Sequence, residues 1–203
     1  METLILGGAV ALWAVVHSWL ASTRIKELAR MWLGARAARV YRLAYNVVSV
    51  LTLAPIALIM RSLPDRFLYR VHVPWAFLLV GGQAVIVFLS VLALLQTDTL
   101  YFAGISQLLT RKTSSGMVTT GFYRLVRHPL YLFGLLILWL TPFMTLHQLA
   151  VYVVLTIYLF IGPVLEERRL VQEFGAAYED YRARTPMMIP GLNLGRRTRD
   201  TRA

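Results

Sequence analysis

The chain has 203 residues, 58% of them apolar, with 21 Lys plus Arg against 10 Asp plus Glu for a net charge of +11, and no cysteine. Only 15% of residues are charged, against roughly 25% in soluble domains, so a soluble fold would lack the polar surface to cover its apolar side chains. The missing cysteine excludes disulfides, thiolate zinc sites, iron–sulfur clusters and a cysteine nucleophile, and the apolar content excludes intrinsic disorder.

A helix crossing about 30 Å of hydrocarbon at ~1.5 Å per residue needs roughly 20 mostly apolar residues. Leu4–Leu20 is the first such stretch, with His17 and Ser18 as its polar members. Glu2 precedes it and Arg24, Lys26 and Arg30 follow it; this order reverses that of a secretory signal and reads as a retained span. His17, near its inner end, is expected to face the bundle and bond to a neighbour. Leu43–Met60 is the second stretch and Trp75–Leu95 the third. Within the third, Gly81-Gly82-Gln83 reads as a close helix contact, because no strand precedes it as a nucleotide-binding loop requires.

Residues 130–165 carry no formal charge, enough for a hairpin turning near Thr141-Pro142 or Leu146-His147-Gln148. Its first half, Leu130–Thr141, reaches about 18 Å, so the hairpin is either re-entrant or fully spanning. The expected fold is an all-α, polytopic membrane bundle of about five segments. Residues 1–95 form a three-helix region, and residues 96–203 a region of loop, hairpin, amphipathic helix and tail.

Basic residues set the orientation. Residues 21–42 hold six, 96–129 hold four, and the tail from Glu166 holds eight. An outside N-terminus and a cytoplasmic C-terminus therefore place 18 of the 21 inside. The net charge then reflects loops lying on anionic lipid, in an inner membrane of bacterial type. Because these residues are scattered between apolar spans and line no single face, nucleic acid is not an expected partner.

Chemistry concentrates in the second half. Arg127 and His128 enter the hairpin and Glu166 and Glu167 leave it, so hairpin geometry brings the two pairs to one interface. Pro129 suits the first turn of a helix, placing His128 at or beside its N-cap, where free N–H groups favour an anion. Glu166, Leu170, Phe174, Tyr178 and Tyr181 follow at helical spacing and form one stripe, with Arg169, Gln172, Glu173, Glu179 and Arg182 facing outward. Pro186 and Pro190 terminate the helix. These residues fit equally an ion network that fixes a hairpin and a site for a zwitterionic, nucleotide-like molecule.

The run Gly121-Phe122-Tyr123-Arg124-Leu125-Val126-Arg127-His128-Pro129-Leu130-Tyr131, followed by Glu166-Glu167, Phe174-Gly175, Tyr178, Tyr181 and Ile189-Pro190, resembles the isoprenylcysteine carboxyl methyltransferase and phospholipid methyltransferase superfamily of integral membrane enzymes. The front half is similar to bacterial thiol methyltransferase and NnrU-like branches. The resemblance covers residues 95–191 and implies methyl transfer from S-adenosylmethionine to a thiol, a prenylcysteine carboxylate or a lipid amine at the cytoplasmic interface. It implies cofactor binding by Tyr123, Arg127, His128, Pro129, Tyr131, Glu166, Glu167, Phe174, Tyr178 and Tyr181. Arg127 and Glu167 are expected to position the reaction; no general base stands out and no metal is implied. Tyr101 and Gln107 are expected to line the acceptor side. Two alternatives accompany this reading: a non-catalytic NnrU-like accessory protein, and an NADPH-dependent sterol-type reductase. The second is weakened because Tyr131-Leu132-Phe133-Gly134 lacks the acid that reductase relatives carry there.

Overall fold

A computed structural model describes residues 1–97 and 116–192. Tyr101 and Gln107, the expected acceptor-side residues, lie outside the described residues. The chain is mostly helical. Helix α1 (Glu2–Leu20) leads into α2 (Thr23–Ser62), whose N-cap Ser22 accepts from the Ile25 N–H. A short strand β1 (Phe67–Arg70) precedes α3 (Trp75–Leu95), and one-turn α4 (Phe122–Leu125) precedes α5 (Pro129–Trp139). Strand β2 (Phe143–Thr145), α6 (Leu146–Phe174) and α7 (Ala176–Arg184) complete the order.

Among the described residues, four helices are long and apolar enough to cross a membrane: α1, residues 43–62 of α2, α3 and α6. The fourth expected segment, the first half of the hairpin, forms the 11-residue α5, about 16 Å long and short of a full crossing. Residues 23–42, read from sequence as a loop, are helical and continuous with the second span apart from a break at Gly34 (φ 73°). Pro55 and Pro163 sit inside α2 and α6, as spanning helices tolerate where neighbours and local adjustment satisfy the freed backbone.

Side-by-side packing runs α2–α1–α6–α5–α3. Gln83 on α3 donates its side-chain amide to the Ile137 carbonyl on α5 at 2.8 Å; this close contact is the role expected of the Gly-Gly-Gln segment. Leu4, Leu12, Val15, Val50, Leu58, Phe77 and Phe88 stand exposed along α1, α2 and α3, an apolar jacket that water would not solvate.

The all-α expectation needs correction. β1 and β2 pair antiparallel, with Phe67 opposite Thr145 and Arg70 opposite Phe143. Three- and four-residue strands carry too little alternation to be read against a hydrophobic background. This ribbon sets the hairpin turn: residues 143–145 are extended and Leu146-His147-Gln148 open α6, so the turn is at Thr141-Pro142. Asp65 secures the junction. Its Oδ1 accepts from the Arg66 and His147 N–H groups at 2.8 and 3.1 Å, and its Oδ2 lies 3.4 Å from His147 Nδ1. Burial pushes the Asp65 carboxyl up, and hydrogen bonds from Thr145, His147 and Arg66, with the His147 charge, outweigh it and hold it below its ordinary value.

Candidate functional site

The second correction concerns the aromatic stripe. α6 ends at Phe174, Gly175 takes φ +55°, and α7 sets off in a new direction. Only a residue without Cβ adopts that backbone freely, so the stripe from Glu166 to Tyr181 is folded across two helices instead of running along one. The fold brings Tyr178 and Tyr181, both buried, back over the start of α5. The Tyr181 hydroxyl donates to the Tyr123 carbonyl on α4.

Beyond α7 the chain continues as a strap. The Arg127 N–H donates to the Pro186 carbonyl (2.9 Å) and the His128 N–H to the Met187 carbonyl (3.0 Å). Arg127 fastens it a second time through its side chain. Its Nη1 donates to the Arg182 and Thr185 carbonyls at 2.8 and 2.6 Å, its Nε donates to Glu167 Oε1 at 2.7 Å, and its Nη2 is 2.6 Å from the same oxygen. A guanidinium has five N–H donors, so at most one remains for a ligand.

His128 is the N-cap of α5 with Pro129 at the first helical position, as the sequence predicts. Its ring lies between the two acids: Nδ1 is 3.8 Å from Glu166 Oε2 and Nε2 is 3.4 Å from Glu167 Oε1. Tyr131 meets the His128 ring edge-on at 5.7 Å and its hydroxyl reaches Glu166. The Tyr131 ring also lies against Gly162, one turn before Glu166, where an added Cβ would come within 2.7 Å of it. The two acids differ in setting: Glu167 is buried, while the Glu166 side chain is 45% exposed. Among the described residues, three buried side-chain polar atoms lack a hydrogen bond: His128 Nε2 and the Tyr178 hydroxyl here, and His147 Nδ1 beside Asp65.

Three tyrosines of this cluster are held neutral. Burial, reinforced by the Glu166 charge, pushes Tyr123 up to about 12. Burial pushes Tyr181 up to about 12 although the Arg127 charge opposes it, and burial with the nearby Glu167 charge raises Tyr178 further.

The predicted set therefore converges: Tyr123, Arg127, His128, Pro129, Tyr131, Glu166, Glu167, Tyr178 and Tyr181 surround one end of α5 and α6. Phe174 closes α6 at the turn, half-buried. Residues expected to face outward take part as well. Glu167, Gln172 and Arg182 line a groove of about 540 Å³ together with Val164, Arg168 and Val171, within the ~300–1,000 Å³ of small-molecule sites. Arg182 Nε stands 3.6 Å from Glu167 Oε2. Gln172 and Arg182 are exposed, as helical phase places them, and stand at the rim of this groove. Arg169, also read as outward, donates to the Ala21 carbonyl at 3.3 Å and ties α6 to the end of α1.

Apolar helices of spanning length, with a buried ion cluster and a tyrosine-lined strap at one end, define a helical membrane protein with a polar site where α5 and α6 meet. Residues 71–177, just over half of the chain, match the family model for phospholipid methyltransferase, and the chain belongs to that family. It is 47% identical over 81 residues to methanethiol S-methyltransferase 2 of Bradyrhizobium diazoefficiens, covering 40% of this chain and 31% of that protein. It is 47% identical over 72 residues to methanethiol S-methyltransferase of Crocosphaera subtropica, covering 36% and 28%. These two matches thus span about three-tenths of the relatives' own length. A longer match, 29% identical over 194 residues, is to methanethiol S-methyltransferase of a Pseudomonas species, covering 91% of this chain and 72% of that protein. No solved structure matches the chain.

Proposed function

We propose that the protein transfers a methyl group from S-adenosylmethionine to a small thiol at the cytoplasmic face of a membrane. The carrying observation is the Tyr178 hydroxyl, a buried polar atom without a hydrogen bond, set under one strap with His128, whose ring lies between two carboxylates. Unmet buried polar atoms are rare in native folds and call for a partner. An amino-acid carboxylate, an ammonium, a ribose diol and a sulfonium together suit this donor and acceptor set. That the relatives are methanethiol S-methyltransferases favours a thiol over the other acceptors the family admits.

In this reading the half-exposed Glu166 accepts hydrogen bonds from the ammonium or the ribose diol, and His128 with the first turn of α5 receives the carboxylate. Tyr178 and Tyr181 offer ring faces to adenine or to the sulfonium, an attraction of about 0.5–2 kcal/mol. Arg127 and Glu167 position these groups: their mutual bonds and the strap hold His128 and the tyrosines in place. S-adenosylmethionine, when bound, supplies an already activated methyl group, so the protein's contribution is alignment and exclusion of water.

The test is calorimetric titration of the detergent-solubilised protein with S-adenosylmethionine and, separately, NADPH, alongside methyl transfer to methanethiol. Wild type is expected to bind the former and not the latter, and Glu166→Gln to weaken binding about 10-fold or more while melting at the wild-type temperature. Undiminished binding in Glu166→Gln overturns the site. Binding of NADPH instead points to a reductase, and binding of neither to an accessory protein.

A further inference from the structure

Residues 21–40 form an excursion that begins and ends at one point. α1 ends at Leu20, and the Tyr41 hydroxyl donates back to the Leu20 carbonyl at 2.7 Å. From Thr23 onward the excursion is helical, capped by Ser22 and broken at Gly34 (φ 73°). The helices on either side of it are both of spanning length and composition, so it starts and finishes where hydrocarbon gives way to water. Arg169 donates to the Ala21 carbonyl at 3.3 Å, which sets this boundary beside α6 two residues past Glu167, at the same face of the bilayer as the ion cluster.

The first leg, residues 23–33, is amphipathic. Ile25, Leu28, Ala29 and Trp32 recur at i, i+3, i+4 and i+7 and share one side of the helix, whereas Thr23, Glu27 and Arg30 share the opposite side. Arg24 and Lys26 flank the apolar stripe, one on each edge, and Met31 stands on the Arg24 edge. Ile25 and Ala29 are half-buried. Leu28, Met31 and Trp32 are 43%, 71% and 83% exposed, so a tryptophan and a methionine stand almost bare beside an arginine. Water solvates such a patch poorly. An apolar face bearing Trp and edged by long cationic side chains matches the headgroup boundary of a bilayer. There the indole sits at the interface, and the Arg and Lys stems follow the acyl chains while their charges reach phosphate. Charge complementarity selects the lipid: residues 21–42 hold six basic residues against one acid, Glu27, and such a cluster beside two spans attracts anionic headgroups.

We propose that residues 23–33 form an in-plane helix that binds anionic phospholipid on the leaflet nearest the Glu167 cluster. Leu28, Met31 and Trp32 lie below the headgroups, Arg24 and Lys26 draw the phosphates to the two edges, and Glu27 and Arg30 face water. Gly34 turns the chain out of this plane toward the second span. A Cβ added there would meet nothing within 4 Å, so glycine is needed for its backbone conformation alone. The surface is separate from the cofactor site and does not depend on which reaction that site performs.

The chain has no cysteine, so a single nitroxide can be attached to Leu28→Cys or Glu27→Cys in the whole protein, reconstituted in phosphatidylcholine nanodiscs with or without phosphatidylglycerol. Relaxation by oxygen, which partitions into hydrocarbon, and by a water-soluble nickel chelate reports where each label lies. The label at 28 is expected to be relaxed by oxygen and shielded from nickel, and the label at 27 the reverse. Phosphatidylglycerol is expected to raise the oxygen-to-nickel ratio at 28 several-fold, high salt to abolish that gain, and Arg24→Gln combined with Lys26→Gln to remove it. A label at 28 as open to nickel as the label at 27 overturns the in-plane helix and leaves its apolar face to a protein partner. A ratio at 28 indifferent to phosphatidylglycerol and to salt overturns the recognition of anionic lipid. If the combined variant does not fold, the salt series on the unsubstituted basic residues decides by itself.

Discussion

Arg127 shows how one side chain can tie several elements of a site together. Its charge is buried against Glu167, and breaking such a pair costs about 3–5 kcal/mol because the surviving charge stays buried alone. Lysine keeps the charge but has a single ammonium in place of the planar fork, so Arg127→Lys cannot serve Glu167 and two carbonyls at once. We expect Arg127→Lys to lower the melting temperature measurably and weaken cofactor binding at least 10-fold, read by thermal shift and calorimetry. The buried tyrosines give a pH dependence of definite sign. Folding raises Tyr123 and Tyr181 from the ordinary 10.0 to about 12, so their stabilisation is complete below pH 10 and lost as pH climbs through 12. Tyrosinate absorbance should therefore show a late-ionising class whose appearance coincides with loss of binding; ionisation of all tyrosines near pH 10 with binding intact would refute this.

Helices and turns set what each residue can reach. Gly162 makes room for the Tyr131 ring, and Gly162→Ala should push that ring away from Glu166. The expected result is cofactor affinity reduced several-fold at near-normal helicity by circular dichroism; unchanged affinity would mean that the Tyr131 position is immaterial. Much at this scale was legible beforehand. The apolar runs gave α1, the second span, α3 and the start of α5 because twenty-residue hydrophobicity is a strong signal, and Pro129 after His128 marked a helix N-terminus. The breaks were not legible. Gly175 stands in a pattern whose 4, 4, 4, 3 spacing fits an unbroken helix, and the positive φ there follows from tertiary packing of the tyrosines. The tie between Asp65 and His147 joins residues 82 apart, and local pattern carries no record of such a pairing. His17 was legible as bonded, but not its partners, the Tyr45 and Ser49 hydroxyls, since both are ordinary residues of an apolar helix.

Across the whole molecule, α6 connects two polar ends. From Leu146 to Glu167 the helix rises about 32 Å, close to the thickness of the hydrocarbon layer. The Asp65–His147 junction sits at one end and the Arg127–Glu167 cluster at the other. They should fail independently. Asp65→Asn removes a carboxylate from the α6 N-terminus, an anchor worth ~0.3–2 kcal/mol, and should lower thermal stability while leaving cofactor affinity within about 2-fold. A large loss of affinity would show that the two ends are linked through the helix.

The strap imposes an order of events during synthesis. Residues 127 and 128 cannot complete their main-chain bonding until residues 186 and 187 have left the ribosome, and Arg127 waits equally for the carbonyls of 182 and 185. The hairpin must therefore enter the bilayer with its guanidinium paired by Glu167 alone. A chain truncated after residue 180 lacks the carbonyls that hold Arg127 and His128, so it is expected to insert yet lose binding of the proposed cofactor.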